Sequence, residues 1–560
     1  MKIPESFLDQ INLGVAFEVR EALLRLVISS KNENLNFETS GNNSSLLNDF
    51  FKTSEAVFFV YDLKAFSKEL SVLGINLPAK IYDILLGCYV KNSNDKNDFE
   101  SIVESELEID FTERSEGNDL NFEQTTNTFL LQKAKFSLQL GEKYLQEIKE
   151  PQLNLWKNIE SPLAPILGQM EAVGVYIDNQ KLKEISLELK TKSLEYEGKI
   201  LEKLNDPSLN INSTKQLPES LIKAGFDLKK ASSKGKISTD KETLDNLKKD
   251  DPTGVISDIL QYRTVSKLFS TFTESFLSQL DTNSRIHGIY SQAQVPTGRL
   301  SSNSPNLQNI PIKNPIYGPM IRSTFSSPEG FILVGADYSQ FELRLLAHFS
   351  KDPVLLETFE LNQDTHARTA AEIFEVPIEQ VTLSQRRVGK TLNFALIYQQ
   401  GPYATSIQLG IEQKEAKSYI EKYFTRFSKV KPYIEETIEN ARKNGYVQTL
   451  YGRRRYFKNL NSKMAIIRKA DERAAFNALL QGSNADIIKI AMVNIHRRLE
   501  KESLPAKIIL QVHDELVLEC GQKYADTVKE ILITEMQINQ PLLVPIEVNA
   551  GSGKNWNLLK

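Results

Sequence analysis

The sequence predicts a multi-domain α/β protein on three observations. At 560 residues, 41% hydrophobic and 25% charged, the chain exceeds what a single hydrophobic core supports and has an ordinary globular composition. Short apolar runs of strand type mix with helical patterns over the first 157 residues, and strand signals return from about 285. Between these regions, residues 180–282 read as helical and lysine-rich.

In the first region, Leu23-Leu-Arg-Leu-Val-Ile28 and Ala56-Val-Phe-Phe-Val-Tyr61 read as strands and 130–147 as helix. Segments 30–45 and 91–98, rich in Asn, Ser and Asp, read as surface loops, and Pro151 and Pro162 bracket the exit. Residues 180–204 and 261–280 carry apolar side chains at helical spacing. The loop Lys229-Lys-Ala-Ser-Ser-Lys-Gly-Lys-Ile-Ser238 lies between them; a solvated loop by default, it also has the charge and reach that phosphate-backbone contact needs. Helices dominate 343–500, and 507–519 reads as a hairpin of two apolar strands meeting at His513, Asp514 and Glu515.

The totals exclude several classes. A net charge of -4, from 68 basic and 72 acidic residues, gives no global positive field, so any polyanion site is local. Cys88 and Cys520, far apart and the only cysteines, suggest neither a disulfide framework nor a zinc site, and five histidines argue against a His-rich metal centre. No run of about 18 apolar residues would span a bilayer. The start, Met1-Lys-Ile-Pro-Glu-Ser6, lacks a signal-peptide core. A cytoplasmic protein without a membrane partner is expected.

Three constellations carry chemistry. In Phe331-Ile-Leu-Val-Gly-Ala-Asp337 a strand stops at a carboxylate, a suitable ligand for a hard divalent cation. Taken alone, the segment reads as an ordinary helix start, since Ser339 to Glu342 forms a capping-box pattern ahead of Leu343. Asp514 is its candidate partner; a turn aspartate is usually only a turn former, but here rigid apolar strands would hold His513, Asp514 and Glu515 at a sheet edge. Two such carboxylates could grip two Mg²⁺ ions about 3.5–4 Å apart for in-line phosphoryl displacement. Third, Arg386, Lys390, Phe394 and Tyr398 step by four along one helix face. Two cations followed by two aromatics fit a nucleoside triphosphate, while an amphipathic helix with a solvated basic side is the plainer reading.

Asp337-Tyr-Ser-Gln-Phe-Glu-Leu-Arg344, Arg386-Arg-Val-Gly-Lys-Thr-Leu-Asn-Phe-Ala-Leu-Ile-Tyr398 and Gln511-Val-His-Asp-Glu515 resemble motifs A, B and C of family A DNA polymerases, in the family's order. Thr297-Gly-Arg299, Asn306-Leu-Gln308-Asn309, Asp364-Thr-His366, Tyr451-Gly-Arg-Arg-Arg-Tyr456, Arg473-Ala-Ala-Phe-Asn477 and Gln481-Gly extend the resemblance from about Pro162 to the C-terminus. It implies a right hand: palm at 158–180, 283–342 and 466–560, thumb at 181–282, fingers at 343–465. Asp337, Asp514 and the Tyr338 carbonyl would bind two Mg²⁺ ions, with Mn²⁺ as a substitute. Lys390 would also serve catalysis. Arg386, Lys390 and His366 would hold the triphosphate of an incoming dNTP, Phe394, Tyr398 and Gln340 would complete its pocket, and Glu342 would be the steric gate against a ribose 2′-hydroxyl. Arg299, Gln481 and His513 would position the primer terminus, and Asn306, Gln308, Asn309, Arg473 and Asn477 would line the primer-template duplex. Lys267 and the 229–238 loop would be thumb contacts. A monomer is expected.

The sequence departs from the family at Ala395, where Gly is common, and at Gln399 and Gln400, which precede Gly401 where Gly usually follows the tyrosine directly. Template handling or fingers closure would change, while activity survives. Residues 1–157 take the place of the family's RNase H-like 3′-5′ exonuclease domain, whose two metals need four carboxylates. Arg20 stands where the second of an Asp-x-Glu pair is expected, the pattern around Asp62 is broken, and Lys133 replaces a late aspartate; only Asp83 fits. Cations there would repel the ions, so a folded domain without proofreading is expected. With no 5′-nuclease domain ahead of it, the chain resembles a large-fragment form. The rivals are a single-subunit RNA polymerase, opposed by Glu342 and Glu515, and a degenerate DNA-binding protein, which predicts loss of Asp337 or Asp514.

Overall fold

The apolar runs of the first hundred residues become a five-stranded mixed sheet: β1 (Asn12–Arg20), β2 (Leu23–Ser29), β3 (Asn34–Thr39), β4 (Val57–Val60) and β5 (Ile81–Asp83). The order is β3-β2-β1-β4-β5, antiparallel through β1, β2 and β3 and parallel through β1, β4 and β5. The computed structural model describes residues 7, 10–20, 23–39, 44–111, 122–231, 237–311, 314–537 and 542–559. Residues 232–236 of the basic tip predicted at 229–238 therefore lie outside the described residues. Helix α1 (Leu63–Val72) joins β4 to β5, α2 (Ile84–Lys91) follows, and α3 (Phe122–Glu147) lies on the sheet. Two glycines permit that approach: a Cβ on Gly14 would meet the Ala134 carbonyl at 2.0 Å, and one on Gly141 the Phe59 ring at 2.2 Å. Trp156, Phe58, Phe59 and Phe66 fill the core beneath.

Helix α4 (Ser161–Val173) leads out of this unit to α5 (Asn179–Lys203), which packs along α6 (Val255–Leu268). The pair carries its own small core at Ile200, Leu217, Leu244 and Ile259, as an arm of long amphipathic helices requires. The second sheet holds β6 (Phe331–Tyr338). After it come α7 (Phe341–Ser350), α8 (Thr365–Phe374), α9 (Leu383–Ile397) and the 37-residue α10 (Ala465–Lys501). The chain then returns through β7 (Ala506–Val512), β8 (Glu515–Gly521) and β9 (Val548–Gly553). The order β7-β8-β6-β9 is antiparallel throughout. Both faces are covered, which explains the unbroken apolar runs in the sequence: Val334 and Leu516 pack with Ile487 and Met492 of α10, while Leu333 and Val517 pack with Phe325 and Trp556. Among the described residues no helix is long and apolar enough to cross a membrane.

A buried charge cluster ties these parts together. Lys489 on α10 donates to Glu160 at 2.7 Å, Arg453 bonds Asp486 of α10 at 2.7 Å and also reaches Glu160, and all four side chains are at most 3% exposed. Gln292 and Thr449 complete the set, donating to Glu160 and Asp486 at 2.6 Å each. Burial pushes Glu160 upward, but the Lys489 and Arg453 cations overcome it and hold the carboxyl at about 2. Two positive and two negative charges are thus sealed without net charge.

Candidate active site

The β6 register sets Asp337 opposite Glu515 of β8 and Asn549 of β9, one residue from the strand end. Val512 pairs with Glu515, leaving His513 and Asp514 as a two-residue hairpin turn, with His513 at φ 53° as such turns require. The Tyr338 N–H donates to the Asp514 carbonyl at 3.3 Å, so the turn abuts the end of β6. Two carboxylates and the Tyr338 main-chain carbonyl thus collect at one sheet edge. An all-oxygen set of this size suits a hard divalent cation that keeps positions for water and phosphate oxygens. Among the described residues, no group of three or more His, Cys, Asp and Glu forms a closed protein cage.

Two expectations for this edge fail. Glu515 is not presented beside Asp514; it is buried, accepts from the Trp556 indole N–H at 2.8 Å and pairs with Arg322 at 3.4 Å. The Ser339–Glu342 capping box is not formed either. Helix α7 begins after Gln340, at φ 51°, without a side-chain cap. Longer-range bonds take the groups a box would use: the Ser339 N–H goes to the Glu547 carbonyl at 3.0 Å, and Arg344 donates to the Ser339 carbonyl at 2.9 Å.

Glu342 itself accepts from Arg299 at 2.7 Å and from the Tyr398 hydroxyl at 3.2 Å. Burial raises its pKa, against the opposing pull of Arg299. Burial and then the Glu342 charge push Tyr398 up to about 12, so it stays a donor. This contact joins the C-terminal end of α9 to α7. Gln340 leaves its Oε1 buried without a hydrogen-bond partner among the described residues, and the next residue after Tyr398, Gln399, takes φ 48°, a conformation that favours glycine.

Helices α8 and α9 bring four predicted residues together. Gly389 lets them touch, since a Cβ there would meet the His366 carbonyl at 2.3 Å. Arg386 bonds Asp364 at 2.7 Å, the His366 and Phe394 rings are 5.8 Å apart, and Lys390 is exposed. Burial pulls His366 down to about 4, with Arg386 and Lys390 adding to it against Asp364. It is therefore neutral at pH 7. Its Nδ1 faces the Asn393 amide nitrogen at 3.1 Å, leaving Nε2 to carry the proton.

The predicted duplex residues divide into three groups. Lys267 lines a cleft of about 780 Å³ with Asn306 and Asn309. Gln308 turns the other way, donating to Gln511 at 2.8 Å, and lines a cavity of about 40 Å³ with Arg299, His513 and Asp514. Arg473, Asn477 and Gln481 follow one face of α10 at helical spacing, and the next turn carries Asn484. Sequence reasoning missed Asn484, whose amide donates to Asp514 Oδ1 at 2.7 Å, and gave no role to Gln511, whose amide donates to the His513 carbonyl at 2.6 Å.

In the first unit, Asp83 is 2% exposed and accepts from the backbone N–H groups of Asp62, Leu63, Leu85 and Leu86, capping α2. Asp62 caps α1 through the Ala65 N–H at 3.0 Å. The Lys133 ammonium lies 5.1 Å from the Tyr61 ring centre, next to Asp62 in sequence, and 5.2 Å from that of Phe99. Arg20 ends β1.

Residues 179–558 match the family model for DNA polymerase family A. The chain belongs to that family. It is 38% identical over 524 residues to DNA polymerase I of Bacillus subtilis, covering 92% of this chain and 59% of the relative. It is 41% identical over 413 residues to the thermostable DNA polymerase I of Thermus aquaticus, covering 73% of this chain and 49% of the relative. The chain thus spans about half to three-fifths of the length of these relatives. A solved structure of the POL domain of Pol1 from M. smegmatis, in complex with DNA primer-template and dNTP, superposes with a TM-score of 0.90 at 29% identity, covering 99% of this chain and 97% of that one.

Proposed function

We propose that this protein is a template-directed DNA polymerase that adds deoxynucleoside monophosphates to a primer 3′-hydroxyl by a two-metal mechanism, in DNA replication and repair, as a monomer without proofreading. The observation that carries it is the meeting of Asp337 and Asp514 at the abutting ends of β6 and the β7–β8 hairpin. Two Mg²⁺ ions held by these carboxylates and the Tyr338 carbonyl would activate the primer oxygen and steady the leaving oxygen. Arg386, Lys390 and neutral His366 would grip the triphosphate, Lys390 supplying charge to the leaving group. Phe394 and Tyr398 would meet base and sugar. Residues Arg299, Gln481 and His513 would position the primer terminus, and the duplex would run past Arg473 and Asn477 and the Lys267, Asn306 and Asn309 cleft. Palm, thumb and fingers follow the boundaries given above. Primer extension with deoxy- and ribonucleotides tests the reading: deoxynucleotides are incorporated, and preference for ribonucleotides would favour an RNA polymerase instead.

Glu342 supplies the sugar discrimination in this reading, because Arg299 and Tyr398 fix its side chain. Glu342→Ala is expected to raise ribonucleotide relative to deoxynucleotide incorporation about 10–200-fold, the range for admitting one small group to a pocket. An unchanged ratio in single-nucleotide kinetics would remove Glu342 from that role.

The sheet order of residues 12–83 supports an RNase H-like unit, and its chemistry supports inactivity, since Asp83 is occupied by four backbone amides and Lys133, where a carboxylate is expected, sets a cation over the Tyr61 ring. A primer with a mispaired 3′ end should stay full length in Mg²⁺ without nucleotides. Degradation that Asp83→Ala abolishes would show an active nuclease.

A further inference from the structure

We propose that Asn484 is a positioning residue for Asp514, fixing the orientation of its carboxylate before a metal ion arrives. The inference rests on the two-metal reading of Asp337 and Asp514.

Asn484 is 2% exposed, on α10, and its Nδ2 donates to Asp514 Oδ1 at 2.7 Å. This bond spans 30 residues from a buried helix position to the hairpin turn, so the amide sets the rotamer of the carboxylate. An Asn amide suits this task in two ways. It occupies one lone pair of Oδ1 and leaves Oδ2 and the second lone pair for a cation, as carboxylate partners do around metal ligands generally. Being neutral, it neither repels the ion nor neutralises the carboxylate as Lys or Arg would.

The amide is itself rigidly held. A Cβ on Gly482 would meet Thr449 Cγ2 at 2.6 Å, so α10 is seated closely against the Thr449 segment two residues before Asn484. Two and five residues after it, Asp486 and Lys489 are locked into the buried charge cluster. The donor thus reaches Asp514 from a helix anchored on both sides rather than from a loop. Asn484 Oδ1 is buried and has no hydrogen-bond partner among the described residues, and the residue lines the cavity of about 40 Å³ shared with Arg299, Gln308 and Asp514. A side chain so placed is not explained by packing or by satisfaction of its own polar atoms, since one of them is left unmet.

The test is Mn²⁺ binding to the full chain with primer-template DNA, followed by electron paramagnetic resonance, beside the Mg²⁺ dependence of extension. Asn484→Ala should weaken Mn²⁺ binding and raise the half-saturating Mg²⁺ concentration about tenfold, at the lower end for loss of such a partner, with primer-template affinity retained. Asn484→Asp keeps the volume and removes the donor. It should place two carboxylates side by side, so that its thermal unfolding midpoint rises on adding Mg²⁺ by more than that of the parent protein. Parental metal titrations for Asn484→Ala, or equal Mg²⁺ shifts for Asn484→Asp and parent, would overturn the proposal. Asp514→Ala run in parallel separates the two claims: if it keeps parental metal binding and activity, the two-metal reading itself fails.

Discussion

Asp514→Ala is expected to lower primer extension by about 10³-fold or more and to leave primer-template binding largely intact. A bound cation contributes several kcal/mol to the transition state of phosphoryl transfer, and each 1.4 kcal/mol or so is a factor of ten in rate. Asp514 and Asp337 are carboxylates set at the same sheet edge; Glu515 cannot replace Asp514, because Trp556 and Arg322 hold it in the interior. The duplex contacts proposed for Lys267, Asn306 and Arg473 lie on other elements and do not depend on Asp514. Rapid-quench extension and fluorescence anisotropy of a labelled primer-template separate the two quantities. A variant that extends primers at the parental rate would sink the mechanism.

Glu160→Gln should destabilise the protein by about 3–5 kcal/mol, the cost of removing one partner from a buried ion pair. The substitution keeps the volume but leaves Arg453 and Lys489 facing the single charge of Asp486. The same group predicts an acid limb. With a folded pKa of about 2 against an ordinary value of 4.5, the folded state binds fewer protons between these values. Stability is therefore present above about pH 4.5 and is lost as pH falls towards 2, and Glu160→Gln should flatten that limb. Urea unfolding followed by tryptophan fluorescence reads both effects, Trp156 lying four residues from Glu160. An unshifted transition would mean that the cluster contributes little.

Much of the site was legible because local rules and long-range structure agree there. The apolar run ending at Asp337 and the hairpin around Asp514 are strands bounded by charge, and the step-by-four row from Arg386 to Tyr398 follows helical geometry alone. Legibility ended where distant groups outcompete local ones. The capping box failed because Arg299, Tyr398, Glu547 and Arg344 claim its members. Glu515 looked available because its partner Trp556 lies near the far end of the chain. Asn484 stands among buried, largely apolar neighbours on α10, and only the fold brings it to a turn 30 residues away. The charge cluster was invisible for the same reason: no spacing in the sequence pairs Glu160 with Lys489.

The absent side chain at Gly389 has a mechanical consequence. Because α8 and α9 touch through backbone at that point, His366 cannot shift relative to Arg386 and Lys390 without unseating both helices. On the proposed reading, the grip on the triphosphate is a preassembled lever. Correct and incorrect nucleotides are then held by the same phosphate clasp, and discrimination falls to whether the lever comes to rest where the α-phosphorus meets the two aspartates.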